Sequence, residues 1–250
     1  MYFMKIVVAG KGGVGKTTVS GTMARALARA GHRVLALDAD TNPMLGVSLG
    51  VGPEQTDLLV AVRQGLETGE TEHEQSTEGF VERFGTDAPD GVRLVVASRI
   101  DRPSPGCQCC GVSAEQLLGE LEGEDRVVVG DLEAGVGTVV RLQPGQADVI
   151  VVVAQPTAKS IEVARRALEL AVDRAPRVVL VANRVRDDGD LEVILEGVGG
   201  DPEVVVVCDE PAIATADRDG RAAIDVDAEA PGVRALVDLA DRLTGIGVAA

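Results

Sequence analysis

Aromatic residues are almost absent from this sequence. Phe, Trp and Tyr make up 2% of its 250 residues, and there is no Trp, although hydrophobic residues reach 45%. The core must therefore be built from Val, Leu, Ala and Ile, and runs of Val are typical of parallel strands buried on both faces. The chain is long enough for a substantial core. Because no Pro/Ser-rich linker divides it, we expect one domain over residues 1–250.

Positive charge is also scarce. The formal net charge is -16, and the only lysines are Lys5, Lys11, Lys16 and Lys159. Nucleic-acid surfaces need clustered Lys and Arg, and so do surfaces that bind anionic lipid. The composition therefore predicts neither a nucleic-acid partner nor a membrane partner. Two of the few lysines share one short loop, which suggests that they have a specific role there.

Long apolar runs and a basic leader are missing as well. No hydrophobic stretch approaches the roughly 20 residues of a membrane span. Residues 1–5 lead directly into a short strand and do not show the basic and apolar regions of a secretory signal. We therefore expect a cytoplasmic protein. In a reducing compartment, its four cysteines are better explained as free thiols or metal ligands than as disulfides.

Short β-rich runs alternate with helical spacing along the chain. The predicted strands are residues 5–9, 33–37, 92–97, 126–130, 149–154, 177–182 and 203–207. The predicted helices are residues 16–30, 56–66, 158–174 and 230–243, and the acidic segment 67–90 is predicted as a helix with loops. This pattern indicates an α/β fold with a mainly parallel, twisted sheet covered by helices on both faces. Ligands of such sheets bind at the carboxyl ends of the strands.

A phosphate-binding loop follows the first predicted strand. Gly10, four further residues, Gly15, Lys16 and Thr17 match the Walker A pattern. In such a loop backbone N–H groups face the phosphates, Lys16 neutralises the β- and γ-phosphates, and the Thr17 hydroxyl ligates Mg²⁺. We expect ATP or ADP to contact Gly10, Lys11, Gly12, Gly13, Val14, Gly15, Lys16, Thr17 and Thr18.

Lys11 distinguishes this loop from an ordinary Walker A motif. The segment from Lys11 to Thr18 resembles the deviant Walker A family of P-loop ATPases, which belong to the SIMIBI type. That family includes MinD and ParA positioning ATPases, the nitrogenase iron protein, Mrp-type carriers and CooC-type nickel-insertion ATPases. The resemblance implies an ATP-bound homodimer in which Lys11 reaches the partner's phosphates. A second lysine could also stabilise charge on the transferred phosphate, as an arginine finger does.

Acidic residues follow two other predicted strands. The resemblance implies that Asp40, with Lys11 and Lys16, is catalytic and orients the attacking water, while Asp38 helps to hold the Mg²⁺ shell. Formation of an Asp-x-Asp-x-Asn turn is the alternative. Asp131 matches the Walker B carboxylate that acts on Mg²⁺. The glycines after it, among them Gly135, would give a second switch loop its mobility.

Two further strand ends carry candidate nucleotide contacts. Asn183 and Arg184 resemble the Asn-Lys element that binds adenine in this family, with Arg in place of Lys. An Asn amide can both donate and accept along a base edge. Glu210 and Pro211 resemble the segment whose backbone frames the base. Plain loop roles are the alternative for all of these positions.

Three thiols lie within a Pro/Gly-rich loop at residues 103–111. Cys107 and Cys109 cannot complete a tetrahedral metal site alone, but two copies across a twofold axis can. Thiolates favour zinc, nickel, copper(I) or iron–sulfur units. Cys110 could replace one of the two as a ligand, and a redox-sensing or exposed thiol cluster is the alternative. Cys208, at the end of a Val-rich strand, is predicted to be a small buried hydrophobe.

The CooC branch is the one that this loop resembles most specifically. The segments Pro105-Gly-Cys-Gln-Cys109 and Asp131-Leu-Glu-Ala-Gly135 both match that branch. The resemblance implies that Cys107 and Cys109 of two subunits hold one Ni²⁺ or Zn²⁺ ion, for a client metalloenzyme such as carbon monoxide dehydrogenase. Cys110 is an additional thiol, and the acidic–His pair of that branch does not follow Gly135.

Three other functions stay open at this stage. A MinD/ParA-like positioning ATPase needs a basic surface or an amphipathic C-terminal helix, but residues 235–243 are acidic. An iron-protein-like reductase needs a Cys near the second switch, and residues 131–142 contain none. An Mrp-type iron–sulfur carrier needs a Cys-x-x-Cys near the C-terminus, which is also missing. The sequence therefore predicts an ATP-hydrolysing, dimerising metallochaperone.

Overall fold

The sheet that organises the molecule has eight strands in the order β3-β4-β2-β5-β1-β6-β7-β8. The computed structural model describes residues 3–40, 42–56, 76–96, 114–121 and 125–245. Its strands are β1 (Phe3–Gly10), β2 (Val34–Ala39), β3 (Thr86–Asp87), β4 (Arg93–Val96), β5 (Arg126–Leu132), β6 (Val149–Ala154), β7 (Arg177–Val185) and β8 (Glu203–Cys208). Among these described strands only β3 runs antiparallel, against β4, so the predicted mainly parallel sheet is confirmed.

Helices cover the sheet on both faces. They are α1 (Lys16–Arg29), α2 (Leu45–Leu49), α3 (Thr77–Phe84), α4 (Ala114–Glu120), α5 (Gly137–Arg141), α6 (Ala158–Ala171), α7 (Asp188–Val198), α8 (Pro211–Asp219), α9 (Ala223–Val226) and α10 (Pro231–Thr244). A short 3-10 helix spans Pro89–Gly91. In the part of the chain that is described, no helix is both long and apolar enough to cross a membrane.

The core consists of two apolar layers, one on each face of the sheet. Along β1, Ile6 and Val8 belong to one layer and Val7 and Ala9 to the other, as the alternation of side chains along a strand requires. Helices α1 and α10 pack on the first face, while α6 and α7 pack on the second. All four of these β1 residues are fully buried, which explains why the strand is apolar throughout.

Strand β1 lies at the centre of the sheet, and the order in which the chain adds strands reverses there. Its neighbours are β5 on one side and β6 on the other. The chain thus fills one side of the sheet before β6 begins the other. A crevice forms at the carboxyl ends of strands around such a point. The phosphate loop leaves β1 at this position, so the fold places it where ligands of α/β sheets bind.

Several predicted element bounds were wrong, and the errors are systematic. Strands β2, β5 and β7 each continue past the last apolar residue that the sequence pattern used. Asp38, Asp131 and Asn183 therefore lie within strands and pair with neighbouring strands. Arg184 also lies within β7, but at a break in the β7–β8 register. The pattern ended too early because a polar side chain at the carboxyl end of a strand does not prevent backbone pairing.

The acidic segment 67–90 shows a second difference. Its described part contains α3, the antiparallel strand β3 and the 3-10 helix, and the short strand was not predicted. Most of the helix predicted at 56–66 lies outside the described residues. Helices α2, α4, α5, α7, α8 and α9 were not predicted. Five of these six helices span fewer than ten residues. The sixth, α7, is capped at its N-terminus by Asp187, whose carboxylate accepts the N–H of Asp190 at 3.0 Å.

Candidate functional site: a nucleotide pocket at the carboxyl edge

The phosphate loop connects β1 to α1 at the carboxyl edge of the sheet. Gly15, directly before the helix, has a φ of 96°, which L side chains rarely adopt. A Cβ atom at this position would lie 2.5 Å from the side-chain nitrogen of Asn183, so only glycine fits. The loop also contacts Gln155, whose amide donates to the carbonyl of Gly13 at 3.2 Å. The chain thus holds the loop in one curved conformation.

Lys16 and Thr17 begin α1 directly beside the carboxylate of Asp131 on β5. Lys16 is only 5% exposed and Asp131 only 1%, so this charge pair lies inside the protein. Burial raises the pKa of Asp131 to about 6, although a hydrogen bond from Thr17 and the charge of Lys16 both lower it. The structure therefore brings together the three residues that the Walker motifs predict at the β- and γ-phosphates.

Ser20 also contacts this carboxylate, and the sequence patterns did not identify it. Its hydroxyl lies 3.1 Å from Oδ1 of Asp131 and 3.0 Å from the carbonyl oxygen of Lys16, one helical turn earlier. The residue is fully buried. The position four residues after Lys16 on the same helix face was the available signal, because a polar residue there must point toward the sheet.

Asp38 lies beside Asp131 in the parallel register of β2 and β5. Its two carboxylate oxygens accept the backbone N–H groups of Leu45, at 2.7 Å, and Asp40, at 3.2 Å. Complete burial and the neighbouring charge of Asp131 raise the pKa of Asp38 to about 8. In this structure Asp38 shapes the loop that follows β2, and its predicted contact with the Mg²⁺ shell stays a prediction.

Asp40 lines the cavity above the phosphate loop. One of its carboxylate oxygens accepts the N–H of Asn42 at 2.9 Å, which is the turn that the sequence offered as an alternative. Its position at the cavity wall also agrees with the predicted role beside the attacking water. The turn therefore fixes the Asp40 side chain at the wall.

The oxygen atoms in this region suit a magnesium ion. Thr17 supplies a hydroxyl, and Asp131 a carboxylate, within one group that also contains the ammonium of Lys16. Mg²⁺ prefers hard oxygen ligands, usually one or two protein groups together with phosphate oxygens and water. The residues present thus fit the ion that the fold implies.

The cavity next to the loop has a volume of about 690 Å³, within the range of small-molecule sites. Its walls combine the phosphate loop, the segment after β2, Ala134 after β5, the end of β7 and the segment that follows β8. The candidate nucleotide contacts among its lining residues are Gly12, Gly13, Gly15, Lys16, Thr17, Thr18, Asp40, Asn183, Arg184 and Glu210.

Asn183 braces the phosphate loop in the described structure. Its amide nitrogen donates to the carbonyl of Val14 at 2.7 Å, and its amide oxygen accepts the N–H of Arg184 at 3.0 Å. Arg184 has a φ of 57°, which is unusual for a residue with a side chain, and coincides with a break in the β7–β8 register. Both residues line the cavity, and their predicted contact with adenine stays a prediction.

Glu210 connects the cavity to two helices. Its carboxylate accepts the N–H of Ala212 at 3.3 Å, which caps α8, and the N–H of Gly232 at 3.2 Å in the first turn of α10. Pro211 begins α8. The prediction that Cys208 is buried was wrong: this residue is partly exposed, lines the cavity, and its thiol lies 3.6 Å from Glu210. Burial and the Glu210 charge raise the pKa of that thiol.

The segment after β5 contacts the phosphate loop through the backbone. The N–H of Gly135 donates to the carbonyl of Gly10 at 2.9 Å. A few residues later, Arg141 at the end of α5 lies 3.8 Å from Glu133 and 2.7 Å from Glu115. Arg141 was not identified from sequence, because a single arginine in an unpredicted helix carries no pattern. It joins the segment after β5 to helix α4.

Two features that the sequence assigns to a contact between subunits stay predictions. Lys11 lies on the surface of the loop, with Nζ 3.4 Å from the carbonyl of Gly12. Cys107, Cys109 and Cys110 lie outside the described residues. Within the described ranges, no group of three or more His, Cys, Asp or Glu residues could hold a metal ion. The inter-subunit thiolate site therefore stays a prediction.

A central parallel sheet, a phosphate loop at its carboxyl edge and an adjacent carboxylate together define a P-loop nucleotide-binding protein. The model for the CobQ/CobB/MinD/ParA nucleotide binding domain matches residues 5–224. The chain therefore belongs to this family of P-loop ATPases.

Similar proteins support this assignment. An uncharacterised ATP-binding protein of Methanocaldococcus jannaschii is 30% identical over 82% of this chain and 87% of its own length. The carbon monoxide dehydrogenase accessory protein CooC of Rhodospirillum rubrum is 29% identical over 89% of this chain and 90% of its own. The septum site-determining protein MinD of Pyrococcus horikoshii, solved with Mg-ADP, has the same fold, with a TM-score of 0.70 and 18% identity over 98% of this chain and 97% of that one.

Proposed function

We propose that this protein is an ATP-driven metallochaperone, which dimerises around ATP and delivers a metal ion, nickel in the first instance, to a client metalloenzyme. The observation that carries the nucleotide part is the meeting of Lys16, Thr17 and Asp131 beside a cavity of about 690 Å³. The metal part rests on the cysteine cluster in the sequence and on similarity to CooC.

The nucleotide chemistry follows from the residues around the cavity. The phosphate loop and the N-terminus of α1 offer N–H groups to phosphate oxygens, and Lys16 neutralises the β- and γ-phosphates. Thr17 and Asp131 would hold Mg²⁺, which would offset negative charge on those phosphates. Asp40 orients the attacking water. Thus the γ-phosphoryl group transfers to water, and ADP and phosphate leave.

Lys11 supports a dimer as the active form. Lys11 is only half-buried, and its ammonium group donates to the adjacent carbonyl of Gly12 at 3.4 Å. In a dimer with the two cavities facing each other, this ammonium group can reach the partner's phosphates. Charge supplied across the interface would then stabilise the transition state, as arginine fingers do.

Contacts after β5 offer a route from the nucleotide to the metal-binding segment. The backbone N–H of Gly135 donates a hydrogen bond to Gly10, the first residue of the phosphate loop. Arg141 forms ion pairs with both Glu133 and Glu115. Glu115 lies near the start of α4, only a few residues after the cysteine-bearing segment 107–110. A change at the γ-phosphate can therefore be passed to the residues next to the thiols. Such coupling requires only that the contacts differ between the ATP and ADP states.

The metal ion is cargo in this proposal. Cys107 and Cys109 of two subunits would supply four thiolates, which suit Ni²⁺ or Zn²⁺, and Cys110 is the spare or alternative ligand. Hydrolysis would loosen the dimer, separate the two thiolate pairs and release the ion to the client. Carbon monoxide dehydrogenase is the proposed client because the curated relative CooC is an accessory protein of that enzyme.

The dimer-dependent metal site has a direct test. The purified chain is given Mg-ATP or Mg-ADP, separated by size, and assayed for bound nickel and zinc in each fraction. We expect metal only in an ATP-dependent dimer, and its loss when Cys107 and Cys109 are both changed to Ser. Cys208→Ser is the matched control, because it removes a thiol outside the segment 107–110 by the same substitution. Equal metal binding by the Cys107/Cys109 variant would contradict the thiolate assignment.

A positioning ATPase is the second candidate, because the fold resembles MinD and ParA proteins. Such a protein uses its dimer to bind DNA or a membrane. The same purified dimer can be mixed with DNA or with anionic lipid vesicles. A metal-free dimer that binds either surface would favour this candidate over the metallochaperone.

A further inference from the structure

A buried serine one turn into α1 contacts the Walker B carboxylate. The Oγ atom of Ser20 lies 3.1 Å from Oδ1 of Asp131 and 3.0 Å from the carbonyl oxygen of Lys16. Ser20 is fully buried and is not among the cavity's lining residues, so it is not placed to touch the nucleotide. Its polar contacts are with Asp131 and Lys16, two of the residues assigned to the Mg²⁺ and phosphate site.

The hydroxyl of Ser20 has one proton and two acceptors within reach. It can donate to only one of them at a time. An ionised carboxylate is the stronger acceptor, since a hydrogen bond to a charged group is about twice as strong as one between neutral groups. The carbonyl of Lys16 lies in a helix, where a serine hydroxyl commonly bonds four residues back. Ser20 therefore donates to the Asp131 carboxylate.

Asp131 needs such a donor because its surroundings oppose its charge. It is 1% exposed, and Asp38 is its neighbour in the register of β2 and β5. The other hydroxyl that bonds it belongs to Thr17, which the proposed function assigns to Mg²⁺. Ser20 lies deeper on the same helix, and no ligand role competes for its hydroxyl. It is thus the donor that stays available throughout the nucleotide cycle.

We propose that Ser20 is a positioning residue, whose hydroxyl holds the Asp131 carboxylate in the orientation that binds the Mg²⁺ accompanying the nucleotide. This rests on the nucleotide-binding part of the proposed function. Ser20 acts on Mg²⁺ only through Asp131. Loss of the hydroxyl should therefore weaken the Mg²⁺-dependent part of nucleotide binding and leave the Mg²⁺-independent part unchanged.

The test is a titration of Mg²⁺ against binding of a fluorescent ADP analogue to the full chain. For Ser20→Ala, we expect the Mg²⁺ concentration at half effect to rise about tenfold, which corresponds to the loss of one hydrogen bond to a charged group. Affinity for the analogue in EDTA should stay within about twofold of the unmodified protein, because the Lys16 and loop contacts remain. Thermal unfolding of each variant shows that it is folded.

Two further variants separate positioning from packing. Ser20→Thr keeps the hydroxyl and should restore the Mg²⁺ dependence, whereas Thr22→Val removes a buried hydroxyl from the same helix that does not bond Asp131 and should change nothing. An unchanged Mg²⁺ dependence in Ser20→Ala, or an equal loss of affinity in EDTA, would overturn the assignment. If the unmodified chain bound the analogue without any effect of Mg²⁺, the proposed function itself would fail.

Discussion

At the scale of single residues, the site is dominated by two carboxylates that are buried side by side. Burial raises the pKa of Asp38 to about 8, with a further contribution from Asp131, and burial raises that of Asp131 to about 6. In the unfolded chain both carboxyl groups would ionise near the ordinary Asp pKa of 3.8. The folded, ligand-free protein therefore holds protons that the unfolded chain releases, and this proton excess makes stability depend on pH.

The sign of that dependence can be tested with Asp38→Asn. A raised folded-state pKa contributes stability that is present below the unfolded value and is lost as pH rises through the folded value. Between pH 5 and 8, the unmodified protein should lose free energy of unfolding relative to Asp38→Asn by up to about 1.4 kcal/mol per pH unit. Denaturant titrations of both proteins without nucleotide measure the difference. A parallel pH profile for the two proteins would contradict the assigned shift.

The amide of Asn183 permits a second prediction at this scale. Asn183→Ala leaves the carbonyl of Val14 without its buried partner, so we expect a loss of about 1–3 kcal/mol in the free energy of unfolding and weaker binding of ADP. Gln155→Ala is the matched control, because its bond to the carbonyl of Gly13 is exposed to solvent. Denaturant titration and nucleotide titration measure both effects. Equal, small effects in the two variants would show that Asn183 does not brace the loop.

At the scale of secondary-structure elements, contacts link the nucleotide cavity to distant helices. Glu210 joins the end of the cavity to α8 and α10 through two backbone N–H groups. Arg141, at the end of α5, joins Glu133 to Glu115 on α4. The first link lies at the end of the cavity that the segment after β8 forms, whereas the second leads along the sequence toward the cysteine-bearing segment. These elements are therefore candidates for parts that respond to the nucleotide.

Arg141→Gln should uncouple the thiols from the nucleotide. Without the guanidinium, Glu133 and Glu115 lose their common partner, and ADP affinity should change by less than about twofold because the cavity is not altered. The readout is the rate at which a thiol reagent modifies the chain in a Cys208→Ser background, where the remaining cysteines are those of segment 107–110, with Mg-ATP and with Mg-ADP. We expect the two rates to differ in the unmodified protein and to become equal in the variant.

Arg166→Gln is the matched control for this experiment, because Arg166 also pairs with a glutamate but lies on the exposed face of α6. It should keep the difference between the two rates. An Arg141 variant that responds to ATP as fully as the control would rule out this route.

The strands and the site residues show how much could be predicted from the sequence. Strands such as Val149–Ala154 were predicted within a residue, because buried parallel strands are apolar throughout. The ends of β2, β5 and β7 were misplaced, since the functional residues there are polar but still paired in the sheet. Lys16, Thr17 and Asp131 were predictable because fixed spacing and strand order identify them. Ser20, Arg141 and the bracing role of Asn183 depend on side chains that meet only in three dimensions.

At the scale of the whole molecule, the central issue is whether one chain completes the site. The folded chain supplies the phosphate loop, both carboxylates and the cavity walls, while Lys11 lies at the surface of the loop. An incomplete transition-state environment in the monomer would make hydrolysis depend on a second copy. The net charge of -16 opposes association, so in the proposed dimer the bound nucleotide and metal would have to supply contacts that favour it.

Lys11→Ala should separate nucleotide binding from formation of the ATP-dependent dimer. The variant keeps Lys16 and the loop backbone, so ADP affinity should change by less than about threefold, whereas the ATP-dependent dimer should be lost and hydrolysis should fall at least about 100-fold. Light scattering after size separation, together with phosphate release, measures these properties. Lys159→Ala, which removes a lysine outside the loop, is the control. A Lys11 variant that still forms the dimer would remove the argument for a shared site.

Metal binding measured in each nucleotide state is the most direct test of the whole account. Equilibrium dialysis of Ni²⁺ and Zn²⁺ is carried out with a non-hydrolysable ATP analogue, with ADP and without nucleotide, each in the presence of Mg²⁺. We predict about one tightly bound ion per dimer with the analogue, and much weaker binding in the other two states. Equal affinity in all three states, or no thiol-dependent binding in any, would contradict the proposal that ATP assembles a metal site.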